Sequence, residues 1–162
     1  MYSIYTLLCG VVCLQSGWSA LHTAAWNGYV ELCGVLLNAS AYPDVHGPSA
    51  VTPLCLASQQ GHADVVRGLI DANCNCNCSA DIGDSRSVSP LHLAVRNGHT
   101  DVVRLLVAAG ADVEASMTTA SVSGITALHL AVESGQLDII DVLLEAGSNV
   151  NSGTLSASES AC

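Results

Sequence analysis

The sequence predicts an all-α repeat solenoid, a stack of antiparallel helix pairs, and three observations predict it. The first is self-similarity. Segments beginning at Ser19 (SALHTAAWNG), Thr52 (TPLCLASQQG), Ser89 (SPLHLAVRNG) and Thr126 (TALHLAVESG) align without gaps, with starts 33, 37 and 37 residues apart. A period in this range marks stacked-repeat architectures. The second is that the aligned columns have physical meaning: Leu21, Leu54, Leu91 and Leu128 share one, Ala24, Ala57, Ala94 and Ala131 another, and Gly28, Gly61, Gly98 and Gly135 a third. The third is composition. Half of the 162 residues are hydrophobic and 11% are charged, which excludes a disordered chain and fits neither a collagen-like sequence nor a disulfide scaffold.

Residues 1–16 form an apolar N-terminal segment, MYSIYTLLCGVVCLQS. It lacks the positive n-region and small-residue cleavage site of a signal peptide, and from Ile4 to Leu14 it is too short to span a bilayer. It reads rather as a degenerate cap on the first repeat or as the product of a start codon placed inside a longer gene. The repeat domain then runs over residues 17–151. In each repeat a Ser or Thr can cap the first helix by accepting a backbone N–H. Pro53 and Pro90 follow at the first helical position, where a missing N–H costs nothing. The glycine column breaks the chain, since glycine tolerates the positive φ of a tight turn.

A second apolar run follows each glycine: Leu32-Cys33, Val65-Val66, Val102-Val103 and Ile139-Ile140. Glu31, Asp64, Asp101 and Asp138 fall in its first turn, where a carboxylate favours the helix dipole. Gly110 and Gly147 suit the left-handed position that ends this second helix, Asn73 can serve there too, and Ser40 is a poorer choice. Helices of two or so turns are too short to be stable alone, so stability must come from stacking on neighbours. Gly68 stands where repeats three and four have Leu105 and Val142. It costs about 1 kcal/mol in helix propensity plus lost packing, which makes repeat two the soft link. Residues 152–162 (SGTLSASESAC) are Ser-rich without periodicity and read as a disordered tail.

The run Ser89–Glu114, SPLHLAVRNGHTDVVRLLVAAGADVE, closely resembles an ankyrin repeat, including the T-P-L-H-x-A signature and the G-A-D-V run. The other three repeats match less fully: Cys55 replaces the signature histidine, and Ala20 and Ala127 replace its proline. The resemblance implies antiparallel helix pairs with β-hairpin fingers projecting from them. Relative to the family spacing there are four extra residues between Cys76 and Ser89 and four between Val113 and Thr126. Both insertions fall in the fingers, and insertions in repeat arrays map to one face, often the binding face. Repeat four is as apolar as an internal unit, whereas terminal repeats usually present a polar outer face; the chain therefore reads as part of a longer array.

Chemistry finds little foothold. His22, His92 and His129 recur in one column, but the resemblance assigns that histidine to backbone bonds tying adjacent repeats. No pair has the i, i+4 spacing of a zinc-binding helix. His62 and His99, after the glycines, take the same structural reading. Cys74-Asn-Cys76-Asn-Cys78 alternates, which would set three thiols on one face of a finger strand. Zinc needs about four ligands at other spacings, and Cys74 and Cys76 align with Ala111 and Val113, so they read as small buried hydrophobes. Cys9, Cys13 and Cys33 likewise sit among apolar residues. Free thiols imply a reducing compartment, cytoplasmic or nuclear. Nothing resembles a nucleophile elbow, a P-loop or a dinucleotide fingerprint. No enzyme, cofactor, metal or small-molecule substrate is expected.

The cations are four arginines, Arg67, Arg86, Arg96 and Arg104, against 14 acidic residues and a formal charge of -10. Nucleic acid and anionic membranes need clustered cations, so neither is an expected partner. What the resemblance implies is a protein-interaction scaffold whose concave face, built from the first helices and fingers, holds a partner protein. The exposed pair before each glycine should line that face: Trp26-Asn27, Gln59-Gln60, Arg96-Asn97 and Glu133-Ser134. Trp18, Val51, Val88 and Ile125 occupy the finger-to-helix entry. Trp and Arg are enriched at interface hot spots, so Trp18, Trp26 and Arg96 lead. Against this, Trp18 can simply cover the start of the stack, and Arg96 can be a solvated residue in a weak ion pair with Glu133. Arg86, Asp81 and Met117 at the fingertips are second-rank contacts. The alternative is the recognition arm of a larger enzyme assembly, such as a ubiquitin-ligase adaptor.

Overall fold

The structure, a computed structural model, describes residues 17–156. The expected N-terminal cap at residues 1–16, with Cys9 and Cys13, and the end of the tail at 157–162 lie outside the described residues. The four repeats give four helix pairs. They are α1 (Ala20–Asn27) with α2 (Val30–Asn38), α3 (Pro53–Gln60) with α4 (Ala63–Asp71), α5 (Pro90–Arg96) with α6 (Thr100–Ala108), and α7 (Ala127–Glu133) with α8 (Leu137–Glu145). The starts follow the capping chemistry. Ser19, Thr52 and Ser89 accept through their side-chain oxygens from the backbone N–H of His22, Cys55 and His92. Pro53 and Pro90 sit at the first helical position. Gly28 and Gly61 take φ values of 74° and 79° to turn the chain into the second helix. The second helices end on left-handed residues in all four repeats: Ser40 at φ 67°, Asn73 at 58°, Gly110 at 85° and Gly147 at 90°. Ser40 therefore adopts the conformation glycine would supply more cheaply.

The first helices pack in one row, α1 on α3 on α5 on α7, and the second helices in a parallel row. The inner second helices, α4 and α6, each pack against the second helix before and the one after. The leucine and alanine columns fill the middle, with Leu54, Ala57, Ala94 and Ala131 fully buried. Position in the stack, not residue type, decides exposure at the ends. Val65, Val102 and Ile139 are 1–2% exposed, while Leu32 in the same column is 46% exposed because no described repeat precedes it. At the other end Val95 is fully buried and Val132, its counterpart, is 60% exposed. Gly68 leaves open space. Nothing lies within 4 Å of where its Cβ would be, and it lines a cleft between α2 and α4 with Val30, Cys33, Leu37 and Val65.

The fingers carry the strands. The second finger is a hairpin of β1 (Ala80–Ile82) and β2 (Ser85–Val88), and the third pairs β3 (Ser116–Met117) with β5 (Ile125–Thr126). Arg86 and Thr118 exchange both backbone hydrogen bonds, at 2.7 and 3.1 Å, which joins the two fingers edge to edge. The first finger holds a 3₁₀ turn at Pro48–Ala50 in place of a hairpin. Between Val122–Ser123 (β4) and Leu155–Ser156 (β6) runs a further antiparallel pair. The segment expected to be a disordered tail from Ser152 therefore includes a short strand, held by backbone bonds that a two-residue stretch cannot announce by periodicity.

Candidate partner-binding surface

Two sets of hydrogen bonds fix the geometry of the first helices and fingers. His22, His92 and His129 lie in one column, and in each the backbone N–H of the capping residue, Ser19, Ser89 or Thr126, points at ring Nδ1 at 3.1–3.2 Å. Nδ1 is therefore the acceptor and Nε2 carries the proton. Nε2 donates to the carbonyls of Val51 (3.0 Å), Ile125 (3.2 Å) and Ser152 (3.0 Å), tying each first helix to the far end of its finger. Burial holds the His22 imidazole below its usual pKa and that of His92 down to about 4, against the opposing effect of those carbonyls. All three rings are structural ties, and burial favours the neutral form of His22 and His92.

The second set links one repeat to the next. His62 Nε2 bonds Trp26 O at 3.0 Å and His99 Nε2 bonds Gln59 O at 3.1 Å, so each reaches back to the preceding first helix. Their rings lie flat beneath the glycine turns: a Cβ on Gly28 would meet the His62 ring at 2.7 Å, and one on Gly61 the His99 ring at 2.5 Å. At the finger bases a polar ladder repeats. Asp44, Asn77 and Glu114 each accept, at 2.8 Å, the backbone N–H of Asn75, Asp112 and Asn149 in the following repeat.

This framework presents the ends of the first helices as a row. Trp26, Asn27, Gln59 and Gln60 are half-buried, whereas Arg96, Asn97, Glu133 and Ser134 are exposed. The two asparagines are partly committed, since Asn27 and Asn97 donate Nδ2 to the carbonyls of Thr23 and Leu93 at 2.8 and 2.7 Å. Trp18 and Trp26 come together with ring centroids 5.9 Å apart, and Trp18 stacks on His22 at 6.2 Å. Trp18 is only half-buried, so the pair offers an aromatic surface on a braced mount. Arg96 and Glu133 form no ion pair with each other among the described residues; the one ion pair there joins Arg86 to Asp81 at 2.9 Å. The backbone N–H of Ser87 and the Arg86 guanidinium hold the Asp81 carboxyl below its usual range. Both groups are exposed, at the tip of the second finger.

Met117 is a correction. It is fully buried, because pairing of β3 with Ile125 turns its side chain into the core and leaves Ser116 and Thr118 outside. It cannot be a fingertip contact. The cysteine run differs too. Cys74, Cys76 and Cys78 are buried and Asn75 and Asn77 exposed, as the alternation predicts, but the segment is a turn, with Asn77 N–H bonded to Asn75 Oδ1 at 2.9 Å. Among the described residues no three His, Cys, Asp or Glu side chains group as metal ligands, and no helix is long and apolar enough to cross a membrane.

Sequence reasoning passed over two exposed aromatics, Tyr29 and Tyr42, at 54% and 67% exposure. Tyr29 occupies the column of His62 and His99, which reach back to a preceding repeat. The available signal was position: the tryptophans and tyrosines all lie within the first 42 residues. The first repeat therefore carries every Trp and Tyr of the described residues, two of them well exposed.

Comparison with known proteins agrees with this architecture. The family model for ankyrin repeats matches in three overlapping copies, at residues 3–80, 21–117 and 54–154. Among curated proteins, the chain is similar to the E3 ubiquitin-protein ligase XB3 of Oryza sativa subsp. japonica, 40% identical over 57 residues, covering 35% of this chain and 13% of that protein. It is also similar to the E3 ubiquitin-protein ligase KEG of Arabidopsis thaliana, 35% identical over 71 residues, 44% of this chain and 4% of that protein. The chain thus spans a small part of either relative. With matches that together run from residue 3 to residue 154, the chain belongs to the ankyrin-repeat family.

Proposed function

We propose that the chain is a non-catalytic scaffold that binds a partner protein through its concave face and fingertips, in the cytoplasm or nucleus. Ankyrin repeats imply protein–protein interaction; the surface is the finer step. The observation that carries it is the Trp18–Trp26 pair, half-buried and braced by His22, at the head of a row that continues to exposed Arg96 and Glu133. Interface energy concentrates in aromatic and Arg anchors set in such supported positions. Asn27, Gln59, Gln60, Asn97 and Ser134 complete the row as polar contacts, and Arg86 adds a fingertip cation. The net charge of -10 favours a partner with a basic or neutral face and disfavours polyanions.

The test is affinity capture from cell lysate with the wild type and a Trp26→Ala/Arg96→Ala double variant whose helical content has been matched by circular dichroism. Partners retained by the wild type and lost by the folded variant support the surface; partners retained equally by both refute it. A second reading, the substrate-recognition arm of a ubiquitin-ligase assembly, draws support from the two plant ligases whose segments the chain resembles. It predicts that a variant-sensitive partner is a ubiquitylation substrate of the assembly, and it fails if none of those partners is ubiquitylated.

A further inference from the structure

Repeat two departs from its neighbours at one chemical position. Where His22, His92 and His129 tie the helix start to a finger carbonyl, Cys55 stands instead. A thiol cannot span that distance, and Cys78, at the start of the second finger, fills the space. Cys55 Sγ and Cys78 Sγ are 3.7 Å apart. Thr52 Oγ1 lies 3.4 Å from the first sulfur and 3.2 Å from the second. Cys55 is fully buried and Cys78 nearly so. The hydrogen bond between the sulfurs divides them: it draws the Cys55 thiol below its ordinary range despite burial, and it pushes Cys78 up. The contact makes the two sulfurs one pair, in which either can meet the oxidant and the other resolve it.

We propose that Cys55 and Cys78 form a reversible dithiol–disulfide pair, closed by a small hydroperoxide, that covalently ties α3 to the second finger where the other repeats use a histidine. One thiolate of the pair attacks the terminal peroxide oxygen, the O–O bond breaks, and a sulfenic acid forms while hydroxide (or the alkoxide of an organic hydroperoxide) leaves and takes the proton that thiol gave up, as water or alcohol. The second sulfur then attacks the sulfenic sulfur, the S–S bond forms, the S–O bond breaks, and the departing hydroxide takes the second thiol's proton as water. Two thiols lose two electrons, and the peroxide gains them. A disulfide needs the sulfurs about 2.05 Å apart, an approach of roughly 1.7 Å from their present separation. Cys78 lies in irregular backbone between a turn and β1, which yields more readily than a helix. Cys74 and Cys76 are poorer candidates: Cys76 Sγ turns to the Cys74 carbonyl at 3.9 Å.

The experiment treats the reduced full chain with hydrogen peroxide, blocks remaining thiols with an alkylating agent under denaturing conditions, and maps disulfide-linked peptides by mass spectrometry. The expected result is a predominant Cys55–Cys78 link, reversed by dithiothreitol, with a thermal midpoint several degrees above the reduced form because the closed loop constrains the unfolded chain. Cys74→Ser retains link and shift; Cys78→Ser loses both. A wild type in which other cysteines oxidise while Cys55 and Cys78 stay unlinked overturns the proposal, with no reliance on any variant's folding. So does a link that Cys74→Ser abolishes.

Discussion

Acid should weaken this stack through one buried ring. His92 is 1% exposed, and its Nδ1 already accepts from the Ser89 backbone N–H at 3.2 Å and lies 2.7 Å from the Ser89 hydroxyl. Adding a proton there would set N–H against N–H inside the core. Burial holds the ring down to about 4, against the raising effect of the Ile125 and Ala115 carbonyls, whereas the unfolded chain titrates at an ordinary 6.5. Between those values the unfolded state binds more protons, so stability rises with pH. The contribution is complete above the unfolded pKa and is lost as pH falls from 6.5 toward 4. From pH 7 to pH 5 the loss from His92 is about 2 kcal/mol. His22, lowered by the same cause, acts in the same direction. The assay is urea unfolding followed by circular dichroism at pH 7, 6 and 5, on the wild type and on His92→Gln, with the ring's own titration read by NMR. The variant starts less stable but should lose most of the slope. An unchanged slope, or a His92 ring titrating near 6.5 in the folded protein, would refute the reasoning.

Three further outcomes are expected of the same framework. Gly61→Ala forces a side chain into a φ of 79° and sets its Cβ 2.5 Å from the His99 ring; the combined cost is about 3 kcal/mol, read as a drop in the urea midpoint, and a neutral result would mean that the turn is not as tight as described. Gly68→Ala meets nothing within 4 Å and gains helix propensity, so it should stabilise by about 1 kcal/mol; destabilisation would contradict the open cleft. Asn77→Ala removes the acceptor of the Asp112 N–H and should cost about 1 kcal/mol, with faster hydrogen exchange at Asp112 as the local sign and unaltered exchange as the counter-result.

The helix pairs were legible because capping places particular residue types at fixed offsets. Ser19, Thr52, Ser89 and Thr126 head helices at the expected positions, and the glycines turn them. Even Ser40, a weak left-handed residue, was forced into that conformation by the repeat around it. Finger detail was not legible. Strands of two residues carry no period, so β6 and the inward turn of Met117 depend on partners distant in sequence. Cys74–Cys78 shows the intermediate case, with a burial alternation that reads correctly and a backbone that does not, because Asn75 bonds its own chain. Of the surface, the row before the glycines was readable as a column. The contact inside the aromatic pair was not, because Trp18 precedes α1 and Trp26 sits in its last turn, and only the folded side-chain geometry brings their rings to 5.9 Å.

The central claim, that the first-helix row is the binding surface, is tested most directly by mapping protection from solvent labelling in the complex with a captured partner. Protection at Trp18, Trp26, Arg96 and Glu133, with Arg67, Arg104 and Asp141 on the second helices unchanged, is the result this account predicts. Protection of the second-helix residues with the tryptophans still labelled would contradict it.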